Sequence, residues 1–147
     1  MHRNGLWHRS AQVFLSDRDG RLLLQRRAPT KDLYADLWDY SVGEHVKPGE
    51  AYEAAARRGL AEELGVRGVA VEVLSDVVTC EHRGRDFWDR ELQQAFRCVY
   101  DGPLMPDVVE VAELKFVALG DLRAWLARAP EEFTPWFAGH VRRYGYL

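Results

Sequence analysis

Glu50, Arg58, Glu62 and Glu63 are the residues whose types and spacing could do chemistry together. Glu62 and Glu63 are adjacent carboxylates. On a helix, sequence neighbours point about a third of a turn apart, which lets two such groups hold a hard cation from one side. A hard divalent cation takes oxygen ligands of this kind together with waters. Arg58 could orient the carboxylates through charge-assisted hydrogen bonds. The plainer alternative is a solvated polar face, with Arg58 pairing Glu62 at four-residue spacing.

The elements that must position these groups are a glycine-bearing loop and a helix, in the stretch GEHVKPGEAYEAAARRGLAEELGV from Gly43 to Val66. Pro48 and Gly49 break the preceding strand, and the expected helix starts with Glu50 in its first turn. Ala54, Ala55 and Ala56 are strong helix formers, and Leu60 and Leu64 lie four apart on one stripe. Gly65 is placed as the C-terminal cap. Glu62 and Glu63 then fall on the last turn, where the helix dipole disfavours acids, so their presence there needs a reason.

The stretch resembles the Nudix box: Glu50, Arg58, Leu60, Glu62, Glu63, Gly65 and Val66 fall at the spacing of that pattern. It departs at Glu44, where the pattern has its first glycine, and at Gly59, where it has the glutamate after arginine. The resemblance implies an α/β (α+β mixed) fold, a Nudix-type α/β/α sandwich with a mixed sheet between helices. It implies Mg2+, or Mn2+ in its place, held by Glu62, Glu63 and Glu50, with a loop carbonyl placing Gly43 near the metal. Without a glutamate at 59 the site should bind fewer ions or bind them more weakly; Glu44 or Glu91 is the candidate substitute. Gly59→Glu is then expected to raise metal affinity. Glu63, Glu91 and Glu110 are the candidate general bases, each also readable as an exposed carboxylate.

The resemblance extends beyond the box. Leu6-Trp7-His8-Arg9, the run from Leu22 to Lys31, Trp38, and Phe133 to Phe137 look like the isopentenyl-diphosphate isomerase branch of the superfamily. By position, His8 and His45 match two of its metal histidines, Glu91 its catalytic glutamate, and Asp89 another metal glutamate. Its catalytic cysteine falls on Gly43, which has no proton to give. Arg26, Arg27 and Lys31 could clamp phosphates as matching basic residues do there, although strand alternation could turn Arg27 away. His45 could contact a phosphate or metal, or be a structural histidine.

The rest of the chain is read as one domain over residues 1–147. Ala11, Val13 and Leu15 alternate on a strand, Asp17 to Gly20 turns, and Leu22 to Gln25 returns as a hairpin. Trp38 to His45 reads as extended, Val69 to Thr79 as one strand, Glu81 to Asp86 as a polar turn, and Trp88 to Val99 as a strand. Val108 to Val117 is expected to be a strand carrying Glu110 and Glu113. A helix over Leu122, Trp125 and Leu126 follows, then one started by Thr134-Pro135. Trp38, Trp88, Trp125 and Trp136 read as core, and Trp7, Tyr34 or Trp88 as a stacking surface for a base or prenyl group.

The net charge of -3 argues against a nucleic-acid partner, and no apolar run suggests a membrane span. Cys80 and Cys98 lack a CxxC spacing and read as reduced thiols of a cytoplasmic protein, a structural pair being the alternative, and MHRNGLWHRS carries no secretory signal. The expected activity is a Mg-dependent Nudix hydrolase acting on a small-molecule diphosphate such as a nucleoside diphosphate, with a homodimer as the assembly the family suggests. The alternatives are an isomerase-like enzyme on prenyl diphosphates and a catalytically weak diphosphate-binding module.

Overall fold

The computed structural model describes residues 6–31, 34–85 and 88–147. The strands are β1 (Trp7–Ser16), β2 (Leu22–Arg27), β3 (Trp38–Asp39), β4 (Val42–His45), β5 (Glu72–Val73), β6 (Val78–Arg83), β7 (Trp88–Val99) and β8 (Val111–Val117). The helices are α1 (Tyr52–Leu64), α2 (Leu119–Arg128) and α3 (Phe137–Arg143), with a short 3-10 turn at Pro130–Glu132. β1 runs through the centre of one sheet. It is parallel to β7 and antiparallel to β4, and it joins β2 through the expected hairpin. β3 and β8 extend the sheet from β2, and β5 and β6 extend it from β7. The expected mixed sheet between helices is the architecture observed.

Strand alternation divides the core into two layers. Ala11, Val13 and Leu15 face α1 and pack with Ala55, Ala56, Leu60 and Leu64. Phe14 faces the other way and packs with Leu122, Leu126, Phe137 and Val141 of α2 and α3. The hairpin holds because the Asp17 carboxylate accepts the N–H groups of Asp19 and Arg21, at 3.0 and 2.9 Å. Gly20 takes the left-handed conformation that the turn needs, at φ 81°.

The expected extended run from Trp38 to His45 divides at Ser41. Its hydroxyl donates to the Leu23 carbonyl at 2.6 Å and accepts the Leu15 N–H at 2.9 Å, so the chain leaves β2 and moves onto β1. Val69 to Thr79 is not one strand either. Ser75 interrupts it, its hydroxyl accepting the Ala95 N–H and its carbonyl the Gln94 amide. The expected turn at Glu81 continues β6 as far as Arg83, where Arg83 lies 4.0 Å over the Trp88 ring; Asp86 lies outside the described residues. β8 starts at Val111, so Glu110 sits in the preceding turn, closed by its N–H to the Asp107 carbonyl at 3.1 Å. Thr134-Pro135 does not start α3, which begins at Phe137; the Thr134 N–H bonds the Trp38 carbonyl at 2.9 Å and holds that segment extended.

α1 ends as its sequence suggests. Gly65 is left-handed at φ 70°, and its N–H reaches the Ala61 carbonyl at 3.1 Å. It starts later than expected: Ala51 is the N-cap, so Glu50 lies in the loop, where its carboxylate accepts the Lys47 N–H at 2.9 Å. The last-turn carbonyls are also occupied. Met105 N–H bonds Leu64 O at 2.8 Å, and Asp107 N–H bonds Glu63 O at 2.9 Å. Those donors offset the electronegative helix end on which the two glutamates stand. Cys80 and Cys98 are free thiols. No helix among the described residues is long and apolar enough to cross a membrane.

Candidate active site

The loop through Gly43 and the C-terminal half of α1 form one wall of a cleft of about 550 Å3. Its lining includes Gly43, Glu44, His45, Glu62 and Glu63 on that side, and Arg27, Lys31, Asp39, Tyr40, Glu91 and Trp136 elsewhere. Glu63 is half-buried and its Oε1 accepts the Gln25 amide at 3.2 Å. Burial pushes its carboxyl up to about 8; Gln25 opposes that shift and the nearby Glu44 charge adds to it. Glu62 is more exposed, at the cleft mouth, with Arg58 Nη1 3.7 Å away.

Arg58 is the hub of this corner. It bonds Glu50 through Nε and Nη2 at 3.1 and 3.0 Å, donates to the His45 carbonyl at 2.7 Å, and lies 3.3 Å from Glu44. These bonds hold the Glu50 carboxyl well down, to about 2. Glu50, expected as a metal ligand, is therefore spent on Arg58 and the Lys47 N–H, and it is absent from the cleft lining. Glu44 lines the cleft instead. Its carboxyl is raised chiefly by burial, with Arg58 opposing and the Glu62 charge adding.

Gly59 does not face the cleft. A Cβ there would meet Val42 Cγ1 at 2.8 Å and Glu44 Cβ at 3.1 Å, so this glycine lets α1 lie close on β4. The premise of the expected gain in metal affinity from Gly59→Glu does not hold, because a side chain at residue 59 would meet β4 instead of the cleft. The carboxylate that reaches this corner comes instead from the strand, at residue 44.

A second polar group lies farther along the cleft. One ligand atom from each of His8, Asp89 and Glu91 lies within 4.8 Å of the others. His8 Nε2 is 3.0 Å from Asp89 Oδ1, and the His45 ring centroid is 5.2 Å from that of His8. The hydrogen bond to Asp89 raises the His8 pKa, and burial raises that of Glu91, with Asp89 adding to it. The parallel pairing of His8 with Glu91 across β1 and β7 brings these distant residues together.

Among the described residues, His8, Asp89 and Glu91 are the group whose ligand atoms lie this close together, a mixed nitrogen and oxygen set of the kind a transition metal takes. Glu44, Glu62 and Glu63 line the cleft as hard oxygen donors without being drawn together in this way.

The basic residues are sorted by the strand. Arg27, not Arg26, lines the cleft; Arg26 is turned away and pairs with Asp36 and Glu113 at 2.9 and 3.3 Å. Lys31 lines the cleft and pairs with Glu110. Of the proposed stacking aromatics, Tyr34 is in the lining, whereas Trp7 and Trp88 are not. Trp136, read as core, is there too, edge-on to Tyr34 at 5.3 Å between centroids. Its indole N–H is shared between both Asp39 oxygens at 3.1 Å. Asp39 and Tyr40 were missed because they sit inside an apolar run with no motif spacing.

The NUDIX domain family matches residues 6–137. The chain therefore belongs to the Nudix family. Within it, the chain is 37% identical over 147 residues to the isopentenyl-diphosphate Delta-isomerase of Burkholderia multivorans, covering 98% of this chain and 81% of that one. It is 39% identical to the enzyme of that name from Nocardia farcinica, covering 93% and 79%. Among solved structures it resembles a Deinococcus radiodurans protein with a TM-score of 0.77 and 26% identity, over 94% of this chain and 83% of the other. The MutT protein of Methanosarcina mazei shares the fold, at a TM-score of 0.76 and 18% identity, over 96% and 94%.

Proposed function

We propose that this chain is a magnesium-dependent hydrolase that cleaves a diphosphate bond in a small organic substrate, such as a nucleoside diphosphate. One observation carries the reading: Glu63 and Glu62 line a cleft that also holds Lys31 and Arg27, so carboxylate oxygens and cationic side chains face one space. Glu62, Glu63 and Glu44 would hold the ion, with manganese as an alternative to magnesium. The bound ion supplies charge neutralisation of the diphosphate and a more acidic water. Arg58 fixes the carboxylates in place, Lys31 and Arg27 bind phosphate oxygens, and Trp136 with Tyr34, set at right angles, offers an aromatic corner to the organic group. Glu91, raised by burial, is the side chain suited to accept a proton in the cleft.

A second reading has a specific observation behind it. His8, His45, Asp89 and Glu91 gather as the isomerase resemblance implies, and the relatives named above are isomerases. Against it, residue 43 has no side chain to deliver a proton, and no cysteine is in the lining among the described residues. Incubation with nucleoside and prenyl diphosphates plus magnesium, followed by phosphorus and proton NMR, separates the two. Phosphate release is expected. An isomerised, intact diphosphate would favour the second reading. Binding without either product would make the chain a diphosphate-binding module.

A further inference from the structure

Gly43 is a glycine whose backbone does not ask for one, since its φ lies outside the left-handed region. What it leaves room for is a ring. A Cβ at residue 43 would meet Tyr40 Cε1 at 3.2 Å and would lie 3.6 Å from the Tyr40 hydroxyl oxygen. The phenol thus occupies the space into which a residue-43 side chain would extend. Tyr40 is buried, at 7% exposure, yet it contributes to the cleft lining. Its ring is held between Phe14 and His140, with centroids 5.4 and 5.7 Å away. Its hydroxyl has no hydrogen-bond partner among the described residues, although its backbone N–H is used by Asp39. The Asp39 oxygens are already taken by Trp136 and by that N–H.

A hydroxyl on a fixed ring, open to the cleft and without a protein partner, is free to donate to an acceptor that arrives with the ligand. We propose that the Tyr40 hydroxyl donates a hydrogen bond to a phosphoryl oxygen of the bound diphosphate, and that residue 43 is glycine to admit it. This rests on the hydrolase reading above and adds a substrate-contacting residue to it. The phenol acts as a donor and keeps its proton: burial and the Asp39 charge push its pKa up, so it remains neutral across the working range. A neutral donor suits a place beside Asp39 and Glu91, where a second cation would pair with carboxylate instead of substrate.

Tyr40→Phe removes the hydroxyl and keeps the ring, so packing against Phe14 and His140 is retained. The test is calorimetric titration of wild type, Tyr40→Phe, Gly43→Ala and the double variant with inorganic pyrophosphate and magnesium. KM and kcat are measured in parallel on whichever diphosphate the wild type hydrolyses. Tyr40→Phe is expected to weaken pyrophosphate binding about tenfold, as loss of one hydrogen bond to a charged group does, with an unchanged unfolding midpoint. Gly43→Ala is expected to displace the ring and cause a similar loss in wild type, but little further loss in Tyr40→Phe. Equal affinity of wild type and Tyr40→Phe, with wild-type phosphate release intact, overturns the Tyr40 role alone. Full additivity of the two substitutions overturns the role given to Gly43. A wild type that neither binds pyrophosphate nor releases phosphate overturns the hydrolase reading and this inference together.

Discussion

Glu63 carries a proton at neutral pH in the metal-free protein, because burial raises its carboxyl from 4.5 to about 8. A folded-state value above the unfolded one means that the group's contribution to stability is fully present below about pH 4.5. It is lost as pH rises through 8. Metal-free wild type should therefore lose stability between pH 5 and pH 8 more steeply than Glu63→Gln, measured by urea midpoints at each pH. Magnesium should restore wild type at pH 8, since an ion that binds only the folded state stabilises it. Parallel pH profiles for the two proteins would mean that Glu63 is solvated and not seated in the cleft wall. Glu50 should behave differently, because its charge is spent on Arg58. Glu50→Gln should weaken manganese binding, read by electron paramagnetic resonance, less than Glu63→Gln does. The reverse order would return Glu50 to the coordination sphere.

The helix and the strand beside it explain why one residue of the box motif was misleading. Glu62, Glu63, Arg58 and the Gly65 cap were legible because each is fixed by helical spacing alone. The meaning of Gly59 was not, since it depends on how closely α1 lies on β4, and that distance is a tertiary property. With Val42 Cγ1 only 2.8 Å from a Cβ at residue 59, Gly59→Ala should destabilise by about 1–3 kcal/mol through overpacking. The roughly 1 kcal/mol that alanine contributes by helix propensity offsets part of that cost, leaving a net change of about 0–2 kcal/mol against the variant. Gly139 in α3 has nothing within 4 Å of its Cβ position, so Gly139→Ala should stabilise by about 0.5–1 kcal/mol. Urea denaturation of both variants reads the difference, and equal shifts would deny the close helix–strand approach. The same reasoning covers Arg26 and Arg27. Both were visible as cleft candidates, but which one faces inward depends on the β2 register and its irregularity at those residues.

At the scale of the whole molecule, one sheet carries two core layers, and both borrow β1: Ala11, Val13 and Leu15 on one side, Phe14 on the other. That sharing argues for one cooperative unit. The near-ultraviolet signal of Trp38 and Trp125 from the α2–α3 layer and the far-ultraviolet helix signal should be lost at one urea midpoint. Separate midpoints would mean that the layers unfold independently. The central strand, the hairpin turn and the helix cap were legible as local signals, whereas the mixed sheet between helices was implied by the family resemblance. The second polar group was legible only through the family resemblance: His8 and Glu91 are brought together by parallel pairing, which leaves no local mark in a sequence.

The proposed reaction needs a divalent ion held at the corner formed by Glu44, Glu62 and Glu63 and in contact with a diphosphate. The most direct measurement is an anomalous-scattering map from crystals soaked with manganese and methylenediphosphonate. A manganese peak beside Glu62 and Glu63, with the diphosphonate reaching toward Lys31 and Tyr40, is the expected result. A cleft whose only peak sits among His8, Asp89 and Glu91, with Glu62 and Glu63 free of metal, would contradict it.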